Sequence, residues 1–217
     1  AITAGKKIKT EVAFSRGNLS VIHQAIACLR EKGYEVKGKT CMVIGNGEMG
    51  KITAQTLREN GADVTVITGF RNKDLVILED EFKQVSSHAY LVSDDGSTGT
   101  KGLVTNVLQD LINQGETFDE VIAIGPLIMM KFVCELTKKY NIKTIVSMNP
   151  IMIDGTGMCG GCRLSVGGKT KFACVDGPDF DGHEVDFDEA MSRGATYREF
   201  EAREREEACN LLKKGVA

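Results

Sequence analysis

One glycine-rich segment most constrains the fold of this chain, because it joins an apolar run to the start of a helical pattern. Residues 40–44 are short, apolar and bounded by glycine, which is typical of a buried parallel strand. They continue into G-x-G-x-x-G at residues 45–50, and a helical pattern follows over residues 51–60. A second strand over residues 64–68 would complete a βαβ unit, and this order predicts a dinucleotide-binding fold.

The glycines of this loop have separate roles in a dinucleotide site. The first two permit a tight turn and let backbone N–H groups approach a pyrophosphate at the helix N-terminus, and the third lets helix and strand pack. The alternative interpretation is a glycine-rich turn kept only for packing. The loop residues that we predict to bind the cofactor are Gly45, Asn46, Gly47, Glu48, Met49 and Gly50.

The end of the second strand indicates which dinucleotide is favoured. An acidic residue about 20 positions after the glycines, which would hold a ribose 2′-hydroxyl, is missing. The strand leads instead towards Arg71 and Lys73, whose charges suit a 2′-phosphate. This favours NADP over NAD.

Strands and helices then continue to alternate, which predicts a Rossmann-like α/β fold with a parallel sheet covered by helices on both faces. Strands are expected over residues 89–92, 120–124 and 144–148, and helices over 103–113 and 127–140. Ligands of such sheets bind beyond the carboxyl ends of the strands. Loop residues there extend the predicted cofactor site to Asp95, Gly96, Gly125 and Pro126. Asp94 and Asp95 resemble paired catalytic carboxylates, but turn chemistry is the favoured interpretation.

Three of the seven cysteines are clustered at Cys159, Cys162 and Cys174, after Asp154 and within a glycine-rich run. Strands are expected over residues 163–166 and 169–175, and the glycine pair at 167–168 between them is a two-residue hairpin signal. A hairpin centred there brings Cys174 within about one residue of Cys162 across the ladder. The cluster therefore predicts a metal site. The other four thiols are expected to be buried or incidental, and they are Cys28, Cys41, Cys134 and Cys209.

The ligand spacing distinguishes the candidate metals. Asp154-x4-Cys159-x2-Cys162-x11-Cys174 has the spacing of a plant-type [2Fe-2S] site, with aspartate in the first position. A structural zinc site usually has two short cysteine knuckles or suitably spaced histidines, and here His183 is the only candidate histidine. Zinc and the absence of any metal remain alternatives.

Composition excludes some classes of function. The net charge of −3 gives no basic excess for a nucleic-acid surface. No apolar run approaches the roughly 20 residues that span a bilayer, and no leader is evident, so we expect a cytoplasmic protein. We predict a dinucleotide-binding domain over residues 1–150 and a cluster-binding subdomain with a C-terminal helix over residues 151–217. Helical patterns also occupy residues 19–33 and 187–214.

From about Gly69 onward the chain resembles the iron–sulfur electron-transfer subunit of dihydroorotate dehydrogenase B and the small subunit of NADH-dependent ferredoxin:NADP oxidoreductase. The matching stretches include GFRNKDLVILEDEF, SDDGSTGTKGLVTNVL, SMNPIMIDGTGMCGGCRLSVGG and KFACVDGPDFDGHEVDF. The resemblance implies a [2Fe-2S] cluster held by Asp154, Cys159, Cys162 and Cys174. The aspartate variant is typical of the ferredoxin-linked relative.

Residues 5–66 instead resemble the NADPH-binding domain of glutamyl-tRNA reductase, through GKKIKTEVAFSRG and CMVIGNGEMGKITAQTLRENGADVTV. This predicts a chimera with a seam near residues 65–69, where both families have the second strand of a nucleotide-binding sheet. The flavoprotein family carries an N-terminal flavin-binding barrel, and no such segment precedes Ala1. The chain alone is therefore expected to bind nucleotide and cluster without completing a catalytic cycle.

These observations together predict an electron-transfer oxidoreductase subunit that works with a flavoprotein or dehydrogenase catalytic subunit. A nicotinamide hydride carries two electrons and the cluster accepts one, so FAD on another domain or partner is expected between them. One alternative is an NADPH-dependent, glutamyl-tRNA reductase-like enzyme of tetrapyrrole biosynthesis, the one case in which nucleic acid is expected. The other is an inactive fold chimera that retains its metal site.

Overall fold

The computed structural model describes residues 35–196 and 200–204 of the chain. The strands are β1 (Thr40–Ile44), β2 (Asp63–Phe70), β3 (His88–Ser93), β4 (Thr100–Lys101), β5 (Glu120–Ala123), β6 (Lys143–Ser147), β7 (Arg163–Val166), β8 (Lys169–Phe172) and β9 (Asp179–Asp181). The α-helices are α1 (Glu48–Glu59), α2 (Glu79–Val85), α3 (Val104–Asn113), α4 (Leu127–Lys139) and α5 (Phe187–Gly194), and Lys73–Leu75 forms a 3-10 turn.

Seven strands form one sheet in the order β4-β3-β2-β1-β5-β6-β9. All neighbours are parallel except β9, which pairs antiparallel with β6 at one edge. The central position of β1 follows from its sequence, since every residue from Cys41 to Ile44 is buried. The strand order reverses between β1 and β5, which is where ligands bind in open α/β sheets.

The two faces of the sheet have separate hydrophobic cores because successive side chains of a strand point to opposite faces. In β1, Met42 and Ile44 join the core beneath α3 and α4, whereas Cys41 and Val43 join the core beneath α1 and α2. The predicted Rossmann-like α/β fold, with helices on both faces of a parallel sheet, is confirmed.

The cysteine-bearing segment packs against the main sheet. β7 and β8 form a separate antiparallel hairpin, and buried residues from this segment, including Leu164 and Ala173, belong to the same core as α3 and α4. Lys131 of α4 forms an ion pair with Asp188 of α5 at 2.7 Å. The boundary expected at residue 150 therefore lies within a shared core, and the division into two domains stays a prediction.

Most expected elements are present, with shifted ends. Helix α1 begins at Glu48, three residues earlier than its sequence pattern suggests, and the strand expected to continue to residue 175 ends at Phe172. Helix α5 ends at Gly194, and residues 200–204 are again described as helical. The helix expected over residues 19–33 lies outside the described residues, as do Cys28 and Cys209.

Within the described ranges, no helix combines the length and the apolar character needed to cross a bilayer.

Candidate nucleotide crevice and candidate metal centre

The glycine loop after β1 is packed at its two ends and open in its middle. A Cβ atom added to Gly45 would lie 2.6 Å from the carbonyl oxygen of Ile124, and one added to Gly50 would lie 3.2 Å from the Gly45 oxygen. Gly47 would meet no atom within 4 Å. Packing therefore accounts for the first and third glycines, while the middle one leaves open space at the start of α1.

Asn46 fixes the position of this loop relative to the next strand. Its side-chain Nδ2 donates a hydrogen bond of 2.6 Å to the carbonyl oxygen of Gly69, near the end of β2. The loop is thereby held against the strand that leads to Arg71. The sequence motif predicts a nucleotide contact for Asn46 but gives no sign of this bond.

A crevice of about 620 Å³ opens at the carboxyl ends of the parallel strands. Among the predicted cofactor residues it brings together those from three loops, which are Gly45, Asn46, Arg71 and Pro126. Asp94 also lines it. The location is the one expected for a dinucleotide in a sheet of this order.

Other predicted cofactor residues do not line this crevice. Glu48 and Met49 are exposed on the first turn of α1, where Glu48 forms an ion pair with Lys51 at 2.8 Å. Asp95 accepts hydrogen bonds from the amide and hydroxyl of Ser97 at 2.9 and 2.7 Å, and these bonds lower the pKa of Asp95. The structure therefore agrees with a turn-forming role for Asp95. The further predicted residues outside the lining are Gly47, Gly50, Gly96 and Gly125.

The crevice has an apolar rim that sequence reasoning missed. Five large side chains on it are about half exposed, and they are Leu75, Ile77, Leu103, Ile128 and Phe132. One sequence signal for this rim was available. Ile128 and Phe132 are four residues apart on α4 and therefore share a face of that helix.

The hairpin of β7 and β8 joins two of the clustered thiols. Arg163 pairs with Phe172, so Cys162 lies opposite Ala173, one residue from Cys174. The amide of Ala173 donates to the carbonyl of Cys162 at 3.2 Å, and the Sγ atoms of Cys162 and Cys174 are 3.3 Å apart. The register expected from the Gly167-Gly168 turn is confirmed.

Contact between these two sulfurs shifts their titration in opposite directions. The hydrogen bond with Cys162 raises the pKa of Cys174. For Cys162, burial alone would raise the pKa, but hydrogen bonds from Cys174 and from nearby backbone amides outweigh it and lower the pKa. Cys162 therefore gives up its proton more readily than an isolated thiol, whereas Cys174 keeps its proton more firmly.

The other two candidate ligands also form a pair. Asp154 accepts hydrogen bonds from the amides of Thr156 and Cys159 at 2.9 and 2.8 Å, and the pKa of Asp154 is lowered by these bonds and by the Cys159 side chain. The amide of Gly161 donates to the Cys159 sulfur at 3.4 Å. An ionised carboxylate and a thiol supported by an amide thus lie on the exposed side of the loop.

The candidate ligands are grouped as two pairs. Among the described residues, no three or more histidine, cysteine, aspartate or glutamate side chains converge in a geometry that could hold one metal ion. A mononuclear zinc site needs about four ligands around a single point. A two-iron cluster instead takes two ligands at each iron, and the pairs Asp154 with Cys159 and Cys162 with Cys174 fit that donor set.

The loop that carries these residues has an apolar surface. Met158 is 91% exposed, Ile153 76%, Ile151 64% and Val175 59%. Exposed apolar groups that cluster in this way are typical of an interaction surface. Cys159, in the same segment of the chain, is also exposed.

Among the described residues, the other two thiols are buried, and the candidate zinc histidine has another partner. Burial is the main cause that raises the pKa of both Cys41 and Cys134 to about 12, so these thiols are inert in the core. His183 Nε2 lies 3.0 Å from the hydroxyl of Thr137, which also accepts a bond of 2.6 Å from Thr144. His183 thereby links the β9–α5 turn to α4 and β6.

Known protein families match the segments that carry both candidate sites. Residues 149–186 match the family model of the iron-sulfur cluster binding domain of dihydroorotate dehydrogenase B, and residues 34–116 match an NAD(P)-binding family model. A dihydroorotate dehydrogenase B (NAD(+)) electron transfer subunit homolog of Thermotoga maritima is 51% identical over 68% of this chain and 52% of its own length. The chain is thus similar to this electron-transfer subunit family through both its iron-sulfur segment and its NAD(P)-binding segment.

Two further relatives extend the family match. An uncharacterized protein in the adh 3′ region of Clostridium beijerinckii is 44% identical over 90% of this chain and 69% of its own length. A solved structure of NADH-dependent reduced ferredoxin-NADP oxidoreductase, described in connection with flavin-based electron bifurcation, has a TM-score of 0.71 and 44% identity. It matches over 81% of this chain and 63% of its own. The chain spans about half the length of the Thermotoga maritima relative.

The proposed chimera is not supported by these comparisons. The NAD(P)-binding model runs from residue 34 to 116 and so crosses the seam expected at residues 65–69. The match to the Clostridium beijerinckii protein extends over 90% of the chain. The resemblance of residues 5–66 to glutamyl-tRNA reductase stays a prediction, and much of that stretch lies outside the described residues.

Proposed function

We propose that this chain is the electron-transfer part of an NAD(P)H-linked oxidoreductase, with a [2Fe-2S] cluster bound by Asp154, Cys159, Cys162 and Cys174. The observation that carries this proposal is the grouping of these ligands into two pairs, one of them with sulfurs 3.3 Å apart. When bound, such a cluster supplies one-electron chemistry. The comparisons support an iron–sulfur domain and leave the cluster type as part of the proposal.

The loop residues orient and protect the ligands. Amides of Thr156 and Cys159 hold the Asp154 carboxylate, and the amide of Gly161 supports the Cys159 sulfur. Amide hydrogen bonds to sulfur tune the potential of iron–sulfur sites. Burial of Cys162 keeps water away from one end of the site, since that residue is only 1% exposed.

The crevice at the carboxyl ends of the strands is the proposed NAD(P)H site. The strand order of the sheet suits a nucleotide there. Gly47 does not line the crevice, but it follows the lining residue Asn46 and leaves open space for a pyrophosphate at the N-terminus of α1. Arg71 lies on the crevice lining and offers a cation for a ribose 2′-phosphate. We therefore propose NADPH as the preferred nucleotide.

The catalytic partner is also proposed. Named relatives are electron transfer subunits of dihydroorotate dehydrogenase B, and a hydride donor and a one-electron cluster need a flavin between them. That flavin would lie on another domain or on a flavoprotein or dehydrogenase subunit. The apolar surface at Ile151, Ile153, Met158 and Val175 offers such a subunit a docking area beside the cluster loop. Pyrimidine biosynthesis is the proposed context, by analogy with those relatives.

Metal analysis and spectroscopy test the cluster. The full chain, purified without oxygen, is expected to contain iron and acid-labile sulfide in equal amounts and to give a visible spectrum that dithionite bleaches, with an EPR signal in the reduced state. Cys174→Ser should lose the signal, whereas Cys134→Ser, a buried thiol outside the loop, should keep it. A colourless protein containing zinc would overturn the proposal.

Nucleotide titration tests the crevice. Arg71→Ala should weaken NADPH binding by about tenfold and NADH binding much less, because a charge-assisted contact to a 2′-phosphate contributes roughly 1.4 kcal/mol or more. Lys83→Ala removes an exposed charge on α2 and serves as the control. Equal losses for NADPH and NADH, or no loss, would remove Arg71 from the site.

A further inference from the structure

The thiols of Cys162 and Cys174 are placed to react with each other. Their sulfurs are in contact at 3.3 Å, and the hydrogen bond from Ala173 to the Cys162 carbonyl fixes the two backbones. Disulfide sulfurs are about 2.0 Å apart. A small rotation of the two side chains would therefore suffice to bond them without moving the hairpin.

Exposure sets the order in which these thiols meet a reagent from solution. Cys162 is 1% exposed, whereas Cys174 is partly accessible. Of these two thiols, Cys174 is therefore the one that a dissolved oxidant reaches first. Cys162 then lies in contact with the modified sulfur and is shielded from a second reagent molecule.

Cys159 is the competing partner for Cys162, because the two form a C-x-x-C sequence. Hydrogen bonds hold Cys159 on the exposed side of the loop: its amide donates to Asp154 at 2.8 Å, and its sulfur accepts from the amide of Gly161 at 3.4 Å. The sulfur that contacts Cys162 is that of Cys174. The geometry therefore favours the bond across the hairpin over the one within the loop.

We propose that in the cluster-free protein Cys162 and Cys174 form a disulfide by exchange with a small-molecule disulfide such as oxidised glutathione. In the first step the sulfur of Cys174 bonds to one glutathione sulfur, and the second glutathione leaves as a thiol. In the second step the sulfur of Cys162 displaces the bound glutathione, which also leaves as a thiol. Two electrons and two protons pass from the cysteines to one oxidised glutathione.

This disulfide would block cluster assembly until it is reduced, a consequence that rests on the proposed cluster function. Iron binds thiolate and not disulfide sulfur, so oxidation removes one complete ligand pair. Asp154 and Cys159 alone cannot complete a four-ligand site. Reduction of Cys162 and Cys174 must then precede loading.

Peptide mapping distinguishes the possible products. The full chain, stripped of metal by chelation under argon, is incubated with oxidised glutathione, alkylated with iodoacetamide and digested with trypsin. Cleavage after Lys143, Arg163, Lys171 and Arg193 separates the cysteines into peptides 144–163 and 172–193. We expect these two peptides to be joined by a reducible bond that excludes Cys159, which is recovered either alkylated or carrying one glutathione.

Variants provide the matched controls. Cys159→Ser should still give the joined peptides, whereas Cys174→Ser should not. A disulfide confined to peptide 144–163, glutathione adducts without a joined product, or full alkylation of all three thiols would each overturn the proposal.

Reconstitution separates this proposal from the proposed function. With ferrous iron and sulfide, the oxidised chain should take up little iron until dithiothreitol is added, and the reduced chain should take it up directly. If the joined peptides form but the reduced chain assembles no cluster, the disulfide stands and the cluster proposal fails. If the oxidised chain takes up iron as well as the reduced one, the disulfide does not block cluster assembly and that part of the proposal is refuted.

Discussion

Asp176 and Phe172 hydrogen-bond to each other in both directions. The amide of Phe172 donates to the Asp176 carboxylate at 2.7 Å, and the amide of Asp176 donates to the Phe172 carbonyl at 2.7 Å. Cys174 lies between them, in the turn that these bonds close. Asp176 is thus placed to position a proposed ligand without binding metal itself, and its pKa is lowered, first by the Phe172 amide.

Replacing Asp176 is expected to loosen Cys174. Asp176→Ala removes the acceptor for the Phe172 amide and the ion pair with Lys171, so the cluster should be lost to a chelator several-fold faster. Asp176→Asn keeps one oxygen acceptor and should lie between the two. The rate of bleaching of the visible spectrum is the measurement, and an unchanged rate in the alanine variant would contradict this role.

Alanine substitutions at Gly45 and Gly47 test separately whether the glycine loop serves packing or nucleotide binding. The Cβ of Gly45→Ala would lie 2.6 Å from a backbone oxygen, so we expect a loss of about 1–3 kcal/mol in the free energy of unfolding. Gly47 has φ −106° and open space, so its alanine variant should fold. That variant should nonetheless bind NADPH less tightly, because a methyl group stands where the pyrophosphate approaches.

Urea unfolding and NADPH titration of both variants separate the two roles. A Gly47→Ala protein that is stable and binds NADPH normally would argue that the loop serves packing alone.

Asp119 stabilises β1, the strand that leads to this loop, and its contribution to stability depends on pH. Its carboxylate accepts from the amide of Thr40 at 2.8 Å and pairs with Lys39 at 3.1 Å, and these contacts, the amide first, hold the pKa of Asp119 below its ordinary 3.8. A lowered folded-state pKa means that this stabilisation is complete above the ordinary value and is lost as pH falls through the lower one.

Asp119→Asn should therefore be less stable than the native chain near about pH 7, and the difference should disappear at about pH 2. Urea unfolding across this pH range is the measurement. Asp110→Asn, at an exposed position of α3, is the control and should show a much smaller difference. A constant difference for Asp119→Asn at every pH would exclude ionisation as its cause.

The sequence was sufficient for the parts of the fold where local patterns and tertiary structure agree. The strand, glycine loop and helix at residues 40–59 have strong periodicity, and the Gly167-Gly168 turn sets the register that brings Cys162 beside Cys174. Both are local relationships. They depend on neighbours in the chain rather than on distant contacts.

Sequence patterns did not predict the elements that depend on contacts with distant parts of the chain. Strand β9 has three residues and a single buried apolar side chain, Phe180, and it forms because β6 offers an open edge. Helix α2 buries only Phe82 and follows Leu78, which has φ +57°. The apolar rim of the crevice could not be distinguished from core positions, because periodicity identifies a face but not what covers it.

Asp154 distinguishes this loop from one with four cysteines, and exchanging it tests the proposed ligand set. Its two oxygens each accept an amide hydrogen bond, yet a carboxylate has about four acceptor positions, so capacity for iron remains. Asp154→Cys should keep the cluster, because its spacing becomes that of an all-cysteine plant-type site.

Thiolate donates more electron density than carboxylate and so favours the oxidised cluster. The reduction potential of Asp154→Cys should therefore be more negative, and its dependence on pH weaker, in EPR-monitored redox titrations at several pH values. Asp154→Asn keeps the loop hydrogen bonding in part but removes the anionic ligand, and it should hold less iron than either. Identical potentials and pH slopes in the native and Asp154→Cys proteins would exclude Asp154 as a ligand, leaving three thiols and an unidentified fourth donor.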